Sequence, residues 1–156
     1  MHDHLRTTRL HAAALEALVL TPEQAQALRE HAAACYPEEC CGFLIGREQD
    51  RCAVIASVIP AKNRHADDRR SRYEIDPMEF LRIDYRLPEE LQVLGFYHSH
   101  PDHPPQPSPH DLHQAWPGFV YLIIRVDRGA PADMQAFRLD PTENAIHPVH
   151  LSIQER

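Results

Sequence analysis

An α+β (mixed α/β) fold is what the sequence predicts, in a single domain spanning its 156 residues. Two observations lead there. Short apolar runs separated by turn residues recur from residue 40 to residue 153 and read as strands. Pro22, Pro77 and Pro109 each follow a Thr, Asp or Ser, which is the pairing of a helix N-cap with a proline at the first helical position. Together these elements give the order β-α-β-β-(β)-α-β-α-β-β-β, a mixture of helices and strands around one core.

Taken in order, residues 1–13 are polar and weakly patterned and are expected to be a loose N-terminus. Leu15 to Leu20 is the first candidate strand. Thr21 then caps a helix, with Gln24 three residues on to close a capping box, and the helix should run to about Cys35. Ala27, Leu28, His31, Ala32 and Cys35 share its helical spacing, so His31 is assigned to packing. Tyr36-Pro37 ends it. Cys-Cys-Gly-Phe-Leu-Ile-Gly, starting at Cys40, is apolar without alternation, as expected of a strand buried on both faces. Cys52 to Ile59 should pair with it as a hairpin.

Residues 61–72 form the most charged segment and read as a mobile surface loop, after which Tyr73-Glu74-Ile75 should return briefly to the sheet. Asp76-Pro77 opens a second helix whose apolar side is Phe80, Leu81, Ile83 and Leu87. Leu91 to Tyr97 is a strand that carries His98 and His100 to its tip, and Gly95 within it permits close approach by a neighbouring backbone. Ser108-Pro109 begins a short helix through about Trp116, stopped by Pro117-Gly118. Phe119 to Val126 is the clearest strand, and Met134 to Leu139 and Ala145 to Ile153 are expected to close the sheet in antiparallel fashion.

Bulk properties narrow the function classes. The 43% hydrophobic and 25% charged content is that of a globular chain, and a net charge of −7 argues against a general nucleic-acid surface. No run approaches the roughly 18 apolar residues of a membrane span, and the N-terminus has no continuous apolar signal core, so a cytoplasmic protein is expected. Four cysteines are too few for a disulfide scaffold, and adjacent Cys40 and Cys41 fit buried, reduced thiols.

The chemistry concentrates in residues 94–111. His98 and His100 are two apart on a strand, so both imidazoles lie on one face, and Asp111 can join them from the next element. Two His and one carboxylate suit zinc and leave a fourth position for water, the arrangement of a catalytic site. Amide hydrolysis also needs a general base, for which Glu38 and Glu39 at the mouth of the buried strand are the candidates. Ser108 can donate to an oxyanion or simply cap the helix that follows it. His103, His110 and His113 offer a second ligand set in the same region, and Cys35, Cys40 and Cys41 a poorly spaced thiolate set.

His98-Ser99-His100-Pro101, six residues, Ser108, two residues and Asp111 resembles the complete HxHP-x6-S-x2-D motif of the JAMM (MPN+) metalloproteases, and Glu39-Cys40-Cys41-Gly42 resembles the family's Glu-x-Cys-Gly segment. The resemblance implies one Zn2+ ion on His98, His100 and Asp111, Glu39 as general base and Ser108 assisting the oxyanion. It implies a cytidine-deaminase-like MPN fold, with a mixed sheet or partial barrel flanked by helices. In size the chain is similar to the small stand-alone prokaryotic members, which implies a ubiquitin-like sulfur-carrier protein with a Gly-Gly C-terminus as partner and substrate. Hydrolysis of small peptides or amides, and a non-catalytic binding scaffold, are the alternatives. A nucleobase deaminase is disfavoured, because the H-x-E and P-C-x-x-C pair is absent.

Overall fold

The computed structural model describes residues 15–140 and 145–156, so the expected loose N-terminus, residues 1–13, lies outside the described residues. Seven strands close into a barrel in the order β1-β3-β2-β4-β5-β6-β7. They are β1 (Ala17–Leu20), β2 (Cys41–Gln49), β3 (Cys52–Ala61), β4 (Gln92–Pro101), β5 (Val120–Asp127), β6 (Ala130–Asp140) and β7 (Ala145–Ile153). The helices are α1 (Pro22–Cys35), α2 (Pro77–Arg86) and α3 (Pro109–Gln114). Among the described residues no helix is long and apolar enough to cross a membrane.

The central strands carry long apolar stretches where both of their faces are covered. Leu44, Leu94, Tyr97, Leu122 and Ile124 pack in one core with Leu28 and Ala32 of α1. Phe43, Ile45, Val93 and Phe119 form a second core with Phe80 and Ile83 of α2 packed against it. Local signals start the helices as expected. Thr21 and Gln24 make both bonds of the capping box, and Asp76 accepts from the Met78 amide. His31 is a packing residue, its Nδ1 2.8 Å from the Tyr97 hydroxyl.

β2 pairs antiparallel with β3 and β4, whereas β4 and β5 run parallel, with His98 beside Ile123 and His100 beside Arg125. A parallel pair cannot be joined by a tight turn. The chain between β4 and β5 must therefore cross back over the sheet, and α3 rides on that crossover. β6 and β7 close the sheet by antiparallel pairing, and β7 and β3 both pair parallel with β1.

The expected barrel-like sheet is present and closes fully. Three expectations need correction. β4 continues to Pro101, so both histidines sit in its paired body and not at its tip. Tyr73–Ile75 does not join the sheet; Glu74 alone bonds, to Asn63 and Arg64. β6 starts at Ala130, earlier than expected, because Arg128 and Gly129, at φ 49° and 86°, make a two-residue hairpin turn whose twist matches the strands.

Gly95 is a close-approach glycine. A Cβ there would lie 1.8 Å from the Val120 carbonyl oxygen, a backbone atom that cannot swing away. Gly95→Ala is expected to lower the free energy of unfolding by about 3 kcal/mol. Gly129→Ala, where the nearest atom to an added Cβ is 3.8 Å away, faces only the left-handed backbone cost of roughly 1–2 kcal/mol. Urea midpoints for the two variants check the ranking, and equal losses contradict it.

Candidate metal centre

Phe96, His98 and His100 alternate along one face of β4, and the crossover brings α3 over that face. Ser108 caps α3, its Oγ accepting from the Asp111 amide at 3.1 Å while the Ser108 amide donates to Asp111 Oδ2 at 2.9 Å. This box fixes the Asp111 carboxylate. Its Oδ2 lies 3.0 Å from His100 Nε2 and 3.2 Å from His98 Nε2, and the two imidazole nitrogens are 3.2 Å apart. The three expected ligands are thus brought to one point.

The protonation pattern of this triangle follows from its surroundings. His100 Nδ1 is 2.7 Å from the Pro104 carbonyl, which can only accept, so Nδ1 carries a proton and Nε2 is the nitrogen left to offer a lone pair to a metal. Burial holds His98 towards its neutral form. Asp111 is held well below the usual carboxylate range: burial opposes its ionisation, but the imidazoles of His100 and His98 beside it and the hydrogen bond it accepts from the Ser108 amide outweigh it. An ionised carboxylate oxygen and the Nε2 atoms of both imidazoles therefore meet at contact distance, an arrangement that a small divalent cation would complete.

Glu39 completes the cluster. One of its carboxylate oxygens lies in a group with nitrogens of His98 and His100 whose members are all within 4.8 Å of one another. It is buried, 2% exposed, and Oε1 has no hydrogen-bond partner. Desolvation, helped by the charges of Asp111 and Asp68, pushes its carboxyl up to about 9. Glu38, the other sequence candidate, is turned outward and paired with Arg69 Nε at 3.2 Å.

Side chains and backbone far apart in sequence hold Glu39 in place. Ser99, between the two histidines, is fully buried; its Oγ accepts from the Cys40 amide at 2.8 Å and its own amide donates to the Cys40 carbonyl at 3.1 Å. The Glu39 amide donates to the Arg69 carbonyl at 2.7 Å, and Asn63 Nδ2 donates to the Glu39 carbonyl at 3.1 Å. The charged 61–72 segment is therefore tied down as a clamp on the Glu39 backbone, although most of its charged side chains are exposed as expected. Sequence reasoning missed Ser99, Asn63 and also Tyr73, whose ring stacks on His98 at 4.4 Å.

The alternative ligand sets do not form. His103 stacks on His100 at 4.1 Å as an outer layer, its Nδ1 donating to the Pro101 carbonyl; His110 faces His65, and His113 is exposed. All four cysteines are free, and burial pushes the Cys40 thiol up to about 12, which keeps it protonated. Beside the cluster, an open cavity of about 410 Å³ runs from Tyr73 between α2 and the β4–β5 face, lined by Phe80, Phe96, Trp116 and Tyr121 among others.

The profile of prokaryotic homologs of the JAB domain matches residues 21–140. The chain belongs to this JAB-domain family. Among its relatives is a protein named desampylase from Haloferax volcanii, 42% identical over 101 residues, covering 64% of this chain and 70% of that protein. Another, from Thermus thermophilus, carries the name "Probable TtuB-protein conjugate cleaving protease" and is 35% identical over 92 residues, 58% of either chain. This JAB domain thus spans less than two thirds of the Thermus protein.

Solved structures agree on the fold. A protein from Desulfitobacterium hafniense aligns with a TM-score of 0.76 at 26% identity, over 89% of this JAB domain and 94% of that chain. A JAB1/MPN domain protein from Archaeoglobus fulgidus aligns at 0.52 and 14% identity, over 87% and 98%, and shows the fold alone. The expected MPN architecture is therefore the one observed.

Because folding raises the Glu39 carboxyl, its contribution to stability is full below the ordinary carboxylate value of about 4.3 and is lost as pH climbs towards about 9. In the metal-free protein, Glu39→Gln is expected to melt several degrees above wild type at pH 8.5, with a smaller gap at pH 5.5. A gap that does not change with pH contradicts this reading of Glu39.

Proposed function

We propose that this JAB-domain protein is a zinc-dependent isopeptidase of the JAMM type that hydrolyses an amide bond at the C-terminus of a ubiquitin-like, sulfur-carrier protein. The observation that carries the reading is the triangle of His98 Nε2, His100 Nε2 and Asp111 Oδ2, 3.0–3.2 Å on each edge, beside the buried and unpartnered Glu39 Oε1. Ligand atoms about 2.0–2.1 Å from a tetrahedral zinc stand about 3.3 Å from one another, so the triangle fits that ion. Zinc held there supplies Lewis acidity, activating a water molecule and the scissile carbonyl.

The chain's own residues do the rest. Glu39 takes the proton of the attacking water and returns it to the leaving amine. Its dry setting raises its basicity, and a cation alongside favours its ionised form. Ser108 serves in both of the roles open to it. Capping uses a lone pair of its oxygen and leaves the hydroxyl proton free to donate to the developing oxyanion.

The desampylase and TtuB-conjugate names of the relatives support a ubiquitin-like substrate. Glu74 turns both its N–H and C=O towards Asn63 and Arg64, so in an extended chain those of Tyr73 and Ile75 face the other way. That edge accepts an extended tail by strand addition. The stack of Tyr73 on His98 leaves a narrow approach suited to Gly-Gly, and the aromatic cavity beyond takes the first bulky side chain upstream. A cytoplasmic location follows from the nature of such carriers.

Intact-mass analysis tests this directly. Zinc-loaded protein, incubated with ubiquitin-like carriers extended beyond Gly-Gly, is expected to remove the extension. Glu39→Gln should lower the rate at least 100-fold, and Ser108→Ala about 100-fold. Retention of the extension across the panel, with short peptide amides cleaved instead, would make the enzyme a small-amide hydrolase; no cleavage of either overturns the hydrolase reading.

A further inference from the structure

His100 owes its orientation to the two residues that follow Asp102. The Pro104 carbonyl accepts from its Nδ1 at 2.7 Å, and the His103 ring lies flat against it at 4.1 Å. Where residues 103 and 104 stand is decided at Asp102, the first residue after β4, which turns the chain with φ at 61°. Asp102 is knotted to three separate elements. Its amide donates to the Val126 carbonyl at the end of β5 at 2.7 Å. Oδ1 accepts from the Arg128 amide in the β5–β6 turn at 2.7 Å, and Oδ2 accepts from the Tyr36 hydroxyl at the end of α1 at 2.6 Å.

This arrangement is more than a turn satisfying itself. Each carboxylate oxygen of an exposed residue is occupied by a donor from a distant part of the chain, 26 and 66 residues away. Arg128, one of those donors, is itself in the left-handed conformation, φ 49°, and is followed by Gly129 at 86°. The knot therefore joins the rigid end of α1 and the β5–β6 hairpin to the crossover that carries Pro104, Ser108 and Asp111. A histidine that ligates a metal through one nitrogen is held by a hydrogen bond at the other, and such outer partners set tautomer and affinity.

We infer that Asp102 is a positioning residue for His100: by gripping Tyr36 and the β5–β6 turn it sets the Pro104 carbonyl against His100 Nδ1 and so presents His100 Nε2 as a lone pair to the metal. The metal half of the inference rests on the zinc reading above; the tautomer half stands on the metal-free protein. Asn at position 102 keeps an acceptor for the Arg128 amide and a donor for the Tyr36 oxygen, and it tolerates the left-handed conformation. Gly tolerates that conformation too but removes the grip.

The test uses Asp102→Asn and Asp102→Gly with two readouts. The first is the 15N resonances of the His100 ring in metal-free protein. Wild type and Asp102→Asn are expected to show a single Nδ1-protonated tautomer, and Asp102→Gly a mixture. The second is zinc affinity by chelator competition, expected to be within threefold of wild type for Asp102→Asn and about 10–100-fold weaker for Asp102→Gly. Asp102→Gly with the single wild-type tautomer overturns the inference, as does its binding zinc like wild type. If wild type binds no stoichiometric zinc, the hydrolase reading fails, while the ring resonances still decide whether Asp102 sets His100.

Discussion

Parallel pairing of β4 with β5 is the constraint on which the rest of the site depends. Had the two strands been antiparallel, a short turn would have joined them and nothing would cover the face that carries His98 and His100. Parallel pairing instead sends the chain back across the sheet. The crossover delivers Asp111 to the two imidazoles, and its helix cap, shared between Ser108 and Asp111, sets the carboxylate within 3.2 Å of both. Antiparallel pairing of β2 on the other side of β4 sets Cys41 beside His98 and Glu39 next to the pair. One strand, flanked by neighbours of opposite sense, thus gathers groups from residues 39 to 111.

Such a cluster is costly to keep without a cation. Three potential ligand atoms converge out of water, a carboxyl is driven up to about 9, and two buried atoms, Glu39 Oε1 and His98 Nδ1, have no partner. Each unsatisfied buried polar group costs about 1–3 kcal/mol. The surrounding barrel has apolar residues packed on both faces of its central strands, with no open edge to relax through, and this over-determines the cluster. Strain held in this way becomes useful when a cation enters, since the same groups are already dry and oriented.

What was legible in the sequence was what local rules encode. Period two put His98 and His100 on one face, Thr-Pro, Asp-Pro and Ser-Pro pairs marked the helix starts, and the spacing to Asp111 fitted a third ligand. What was not legible depends on bonds between residues far apart in sequence that leave no local pattern. Ser99 to Cys40, Asn63 to Glu39 and Asp102 to Tyr36 are of this kind. The charges of the 61–72 segment suggest mobility, but its placement is carried by backbone atoms and by Asn63. Tyr73–Ile75 has strand-forming residues, and what it lacks is a partner strand.

Zinc K-edge X-ray absorption on the zinc-loaded protein decides whether His98, His100 and Asp111 hold the ion. Only nitrogen and oxygen neighbours are expected, about 2.0–2.1 Å from the ion, with outer-shell scattering from two imidazoles. A sulfur neighbour at about 2.3 Å, or fewer than two imidazoles, would contradict this ligand set.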